Sequence, residues 1–198
     1  MKRILDIFVG VLIILCMLMF SGCQFNKENL STTKTKIHKF AIFLVSKGDK
    51  DNAVSYGRSE NGEYVHEGLN NINDLIIQDK PILTEQDIIS YNWQNHEIVL
   101  TKDYINRNIE NRKTRQIGGG SELLNTEDLD QFVIMVEGKR IYAGGFPLSP
   151  LRSQFNPEVL IEDTGNNQVS VRYLGKSDDP RKSQIIHDVF KELGKLKV

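Results

Sequence analysis

Residues 132–146 read FVIMVEGKRIYAGGF. Five apolar residues run into Glu137-Gly138, a two-residue turn signal, and a second strand-like piece follows through Ile141, Tyr142 and Ala143. Apolar runs of strand length joined by a glycine-containing pair predict a β-hairpin. The same grammar recurs on both sides of this stretch. In IISYNWQNHEIVLT (88–101), Ile89, Tyr91 and Trp93 alternate with polar partners, and Ile98 and Leu100 do so beyond a Gln94-Asn95 turn. VLIED and QVSVRYL flank a turn at 164–167. Three local hairpins mean antiparallel pairing, and FAIFLV (40–45) adds a continuous apolar run expected to be a buried strand.

Helices fit between and after the strands. Thr101 is the expected N-cap of a helix to about residue 113, with Tyr104, Ile105 and Ile109 on one face. Asp179-Pro180 opens a last helix, with Ile185, Ile186, Val189, Phe190 and Leu193 as its apolar face. Thr84 and Asp87 carry a capping signature for a short helix, and Glu60-Asn61-Gly62 suggests a further hairpin. The sum is an α+β domain on a largely antiparallel sheet built from hairpins, with two helices on one face.

The chain opens quite differently. Lys2 and Arg3 form a short positive region, and Ile7 to Phe20 is uncharged. That run is shorter than the about 20 residues a bilayer span needs, and it has the length of a signal-peptide core. Ser21 and Gly22 supply the small side chains a signal peptidase requires, so residues 1–22 are expected to be an export signal. Phe20-Ser21-Gly22-Cys23 resembles the lipobox of bacterial lipoproteins. The resemblance implies cleavage before Cys23 and diacylation of its sulfur; Phe20 departs from the more usual Leu. Cys16 lies inside the apolar core behind bulky Leu15 and leaves with the signal, so the mature chain keeps a single cysteine, at its first position. No internal disulfide can form, and lipidation accounts for the unpaired thiol. Two acyl chains give a stable anchor at about 0.8 kcal/mol per buried methylene. The expected location is the extracytoplasmic face of the cell membrane.

Residues 23–39 are expected to be the lipidated cysteine and a polar tether, and 40–198 one globular domain. The 16 residues of the tether after Cys23, QFNKENLSTTKTKIHK, carry a net charge of +3, while 40–198 hold 19 basic against 24 acidic residues. Such a tether reaches at most about 55 Å and averages about 20–25 Å as a coil. Its lysines attract anionic headgroups at about 1 kcal/mol each, whereas the acidic domain is repelled; a merely soluble linker reads equally well. Export and the acidic domain disfavour nucleic acid as a partner.

No catalytic constellation stands out, and no enzyme is expected. Gly-x-Ser-x-Gly, His-Glu-x-x-His, Cys-x-x-Cys and Walker patterns are absent. His38, His66, His96 and His187 have no partner at ligand spacing, so neither a metal nor another cofactor is expected. Gly118-Gly119-Gly120-Ser121 reads as a flexible connector rather than an anion cradle, and Arg107, Arg112, Lys113 and Arg115 as a solvated helix end. The most suggestive segment is YAGGFPLSPLRSQFNP, with Pro147, Pro150 and Pro157 close together. Tyr142, Phe146, Leu148, Leu151 and Phe155 are the candidate partner contacts, since a proline-stiffened apolar loop lowers the ordering cost of binding. The competing reading folds these side chains back over the sheet. Tyr91 and Trp93 are the candidate pocket aromatics, although aromatics on a strand face more often belong to the core.

PILTEQDI (81–88), HEIVLT (96–101) and FVIMVEGKRIYAGGF together resemble uncharacterised exported lipoproteins of Gram-positive bacteria. They are also distantly similar to an extracytoplasmic domain of the Sec translocase accessory subunit, which has a Leu-Thr-x-x-Asp-Ile opening. The resemblance implies an α+β fold and no catalytic residue, and it does not carry over a translocation role. Three functions follow as expectations. The first is a membrane-anchored lipoprotein whose domain binds or regulates another envelope protein. The second is a module for a small molecule or cell-wall fragment. The third is an enzyme with a dispersed site around His66 or His96.

Overall fold

The computed structural model describes residues 37–46, 71–110, 119–148, 157–176 and 178–198, with only the backbone of Ile109. The expected hairpin at 60–62 and the expected lipidation site, Cys23, lie outside the described residues.

Among the described residues nine strands form a single sheet in the order β2-β1-β5-β6-β7-β8-β4-β3-β9. They are β1 Phe40–Leu44, β2 Leu83–Thr84, β3 Ile88–Asn92, β4 Glu97–Leu100, β5 Gln131–Val136, β6 Lys139–Gly145, β7 Val159–Gly165, β8 Gln168–Tyr173 and β9 Leu196–Lys197. Among the described residues two α-helices join them, α1 Lys102–Glu110 and α2 Gln184–Glu192. The fold is α+β, and the three expected hairpins are β3–β4, β5–β6 and β7–β8. The sheet is mixed, however, because β3 pairs with β9 and β6 with β7 in parallel. Hairpin signals report only pairings across a tight turn, whereas β6 and β7 are joined by a longer connection and β3 and β9 lie far apart in sequence.

The strand order forces the sheet to curl. In a flat sheet β2 and β3 would lie about 34 Å apart, at about 4.8 Å per strand. Yet Thr84 and Ile88 are separated by only the 3-10 turn Glu85–Asp87, a span of at most about 14 Å. The turn is fixed by the expected capping box: Asp87 Oδ2 accepts from the Thr84 amide at 2.9 Å, and Thr84 Oγ1 accepts from Gln86 N. Lys195, just before β9, donates its ammonium to the carbonyls of Glu85 and Ile88 and so ties the far edge to this turn.

The curl encloses one main core. Phe40 and Ile42 from β1, Phe132, Ile134 and Val136 from β5, Tyr91 from β3 and Phe190 from α2 belong to it, as do Tyr104 and Ile105 of α1. Val133 faces the other way, into a smaller cluster with Val45 and Leu75. Arg140 holds that cover in place by donating to the carbonyls of Ile72 and Leu75, both at 2.7 Å. Burial on both faces explains why FVIMV is continuously apolar instead of alternating. Gly144 after it has a steric cause. A Cβ at Gly144 would lie 2.5 Å from both Phe132 Cζ and the Val159 carbonyl, where β6 meets β7.

Two side chains depart from expectation. Ile89 is 53% exposed because a bulge between Ile88 and Ser90 breaks the alternation, which buries Ile88 instead. Ile185 is 45% exposed because the last helix is not continuous from Pro180. Asp179 caps a separate 3-10 turn, Pro180–Lys182, and α2 starts afresh at Gln184 with Ile186, Val189 and Phe190 inward. The helix after Thr101 does form, and Thr101 Oγ1 accepts from Tyr104 N at 3.2 Å.

Candidate functional site

A group of polar and aromatic side chains gathers where the β3–β4 turn meets α2. Asn92 Oδ1 accepts from the amides of Gln94 (2.9 Å) and Asn95 (3.4 Å), which starts the turn. His96 ends it at φ 56°, in the left-handed region that histidine tolerates better than most residues. Its ring is thereby brought to Tyr91, whose hydroxyl lies 2.6 Å from Nδ1.

Both partners are buried, at 3% exposure for Tyr91 and 4% for His96. Burial lowers the affinity of His96 for a proton, and the neighbouring Arg181 lowers it further, to a pKa of about 4; Asp179 works against them and Lys182 with them. Burial pushes the Tyr91 phenol the other way, upward. At neutral pH the imidazole is therefore uncharged and the phenol protonated, so Tyr91 donates, Nδ1 accepts, and Nε2 carries the ring proton.

Aromatic contacts extend the group outward. Tyr91 stacks on Phe190 at 4.6 Å. Trp93 sets its ring edge-on between His96 (5.6 Å) and His187 (4.9 Å). His187 Nδ1 is 3.1 Å from Asp188 Oδ1, which also accepts from Gln184 Nε2 at 2.7 Å. On the inner side, Asp179 takes both ends of the Arg181 guanidinium at 2.8 and 2.7 Å, and Arg181 Nη1 donates to the Val171 carbonyl at 2.8 Å. This pair holds the Asp179 carboxyl below the usual carboxylate range.

Of the candidate pocket aromatics, Tyr91 is in the core and Trp93 half-buried at its rim. The candidate contact surface needs correction. Phe146 is 0% exposed and packs on Phe132 at 5.5 Å, while Leu148 and Tyr142 are 6% and 7% exposed. Buried Pro157 closes the same segment, so its described ends cover the sheet; Leu151 and Phe155 lie outside the described residues. The grouping of His96, His187, Asp179 and Arg181 was invisible in the sequence, since their separation hides a contact made only when α2 packs on the hairpin.

The glycine stretch also differs from a loose connector at its described end. Gly120 has φ 79°, and its amide donates to the Pro147 carbonyl at 2.8 Å. Beyond it, the amides of Glu122 (2.6 Å) and Leu123 (3.3 Å) and the Ser121 hydroxyl all donate to the Asp163 carboxylate. The anion received at this turn is one of the domain's own side chains.

No protein-family model, curated protein or solved structure matches the chain. Among the described residues, no helix is long and apolar enough to cross a membrane, and no group of three or more His, Cys, Asp or Glu could hold a metal ion. Chemically, the Tyr91–His96 pair is shielded from solvent and suited to holding the hairpin tip in one geometry. Trp93 and His187 are the members of the group that reach its rim.

Proposed function

We propose that the chain is a membrane-anchored extracytoplasmic lipoprotein, and that its α+β domain, with both helices on the concave side of the curled sheet, is a non-catalytic binding or regulatory module for another envelope protein. The observation that carries the reading is the order LMFSGC, polar tether, then directly the first strand of a folded domain, β1 at Phe40. A module delivered on a short leash acts on what lies at the same membrane face. Trp93 with His187 replaces the Phe146 region as the contact surface, because a half-buried tryptophan packed edge-on between two histidines is the residue type on which interface energy concentrates.

The same residues favour a second reading, a module for a small molecule or cell-wall fragment, since an edge-anchored indole offers a stacking surface to a flat ligand. Crosslinking the full-length protein in intact cells separates the two. A single envelope partner that is lost in Trp93→Ala and in Cys23→Ala supports the first reading. Specific crosslinks unchanged by both substitutions overturn it. Absence of any partner, with saturable binding of soluble wall fragments that quenches Trp93 fluorescence, supports the second.

A further inference from the structure

The last residues of the expected tether are part of the folded unit. His38 Nδ1 lies 3.4 Å from Glu85 Oε2, within ion-pair range though without hydrogen-bond alignment. The next residue, Lys39, reaches two more carboxylates, Glu137 at 2.6 Å and Glu192 at 3.1 Å. These three acids come from three separate elements: the 3-10 turn before β3, the β5–β6 turn and the end of α2. The backbone joins in, for Glu137 N donates to the Lys39 carbonyl at 3.2 Å and Phe40 N to Glu85 Oε2 at 3.4 Å. Ile37, 74% exposed, lies beside Gly138, where a Cβ would stand 3.8 Å from its Cγ2.

We infer that Ile37–Lys39 is a clasp: Glu137 and Glu192 grip Lys39, Glu85 packs beside His38 and accepts from the Phe40 amide, and together they fix where the chain leaves the domain, so that the pole carrying Glu85, Glu137 and Glu192 is the one turned toward the lipid. The inference rests on the anchored reading for the lipid and on the contacts above for the clasp. Each ion pair with Lys39 is exposed and weak alone. Their combination restrains a segment that also continues the β1–β5 ladder by one backbone bond, so each contact is made to a residue already partly ordered. The clasp fixes the point of exit at Ile37 and so limits the orientations from which a partner can approach the rim at Trp93.

The test uses the lipidated full-length protein in nanodiscs of phosphatidylcholine and phosphatidylglycerol, with a spin label on a fraction of the headgroups, followed by amide NMR. Order parameters of Ile37 and His38 should match rigid backbone, about 0.85, and broadening should concentrate on Ile37–Lys39, the Glu137-Gly138 turn and Glu192. Glu85→Gln with Glu137→Gln and Glu192→Gln should lower the order parameters below about 0.6 and spread the broadening over the domain, with β1–β5 amide shifts unchanged as the control for folding. Wild-type order below that level, or a triple variant indistinguishable from wild type, overturns the clasp. Loss of all broadening with the order at Ile37 and His38 retained overturns the anchored reading and the lipid-facing pole, while the clasp itself stands.

Discussion

The Tyr91 hydroxyl donates to His96 Nδ1 across 2.6 Å in a buried setting, and this bond fastens the β3–β4 turn to the strand that leads into it. The imidazole is held neutral, with its pKa lowered to about 4. An unfolded chain binds a proton there near pH 6.5, so between about 6.5 and 4 the unfolded state carries more protons than the folded one. The stabilisation is complete above the unfolded value and is lost as pH falls through this window.

The expected outcome is a fall in unfolding free energy of up to about 3 kcal/mol between pH 7.5 and pH 4 from this group. His96→Asn keeps a residue suited to the left-handed turn and removes the ring, and it should flatten the acid limb. Urea unfolding of both proteins at several pH values measures it; parallel curves would mean that the acid sensitivity lies elsewhere.

Arg181 stands behind this pair and faces the same imidazole. Removing its charge in Arg181→Met takes away one cause of the low His96 pKa and leaves Asp179, which acts in the opposite sense, without its partner. The His96 titration, followed by the imidazole proton shift, should move upward, while remaining below 6.5 because burial is the larger cause. Stability at pH 7 should fall by about 3 kcal/mol, since a half-buried carboxylate loses its ion pair. A titration that stays in place would remove Arg181 from the electrostatics of the site.

How much of this was legible in the sequence depends on range. Turn signals separated by a few residues located all three hairpins, and Thr84 and Asp87 formed the capping pair their spacing suggested. β2 and β9 have two residues each and no periodicity to read. They exist because Leu83 and Leu196 lie beside β1 and β3 once the sheet has curled. The described start of the candidate contact loop was ambiguous for a related reason: Phe146 and Leu148 look identical in sequence whether they meet a partner or the sheet, and both are buried, Phe146 against Phe132. His96 and His187 met only through Trp93, across 91 positions of chain.

Gly120 gives a sharp local test. Its φ of 79° already disfavours a side chain, and a Cβ would stand 2.3 Å from the Thr126 carbonyl oxygen, a backbone atom. Gly165, with φ 85°, has open space around the same position. Gly165→Ala should therefore cost only the conformational penalty of about 1–2 kcal/mol. Gly120→Ala adds a displacement of the 120–126 turn, and with it the amides that hold Asp163, so the loss should exceed that of Gly165→Ala by at least about 1 kcal/mol. Equal midpoints in thermal unfolding would show that the turn yields freely.

Phe190 joins the two ends of the strand order. Its ring is 4.9 Å from Phe40, on the second strand from one edge, and 4.6 Å from Tyr91, on the second strand from the other. A helix merely lying on an open sheet would touch neighbouring strands; contact with both β1 and β3 requires the curl. Phe190→Ala removes a fully buried ring at that junction and should cost about 3–5 kcal/mol, whereas Ile185→Ala, half exposed near the start of α2, should stay near 0.5 kcal/mol. The contrast has a second signature. With the aromatic stack gone, Tyr91 loses the surface that holds its hydroxyl toward His96, so amide exchange in the β3–β4 hairpin should accelerate in Phe190→Ala more than in an equally destabilised variant of the smaller cluster, such as Val133→Ala. Uniform acceleration in both would mean that the helix stabilises the domain as a whole without specifically supporting the hairpin tip.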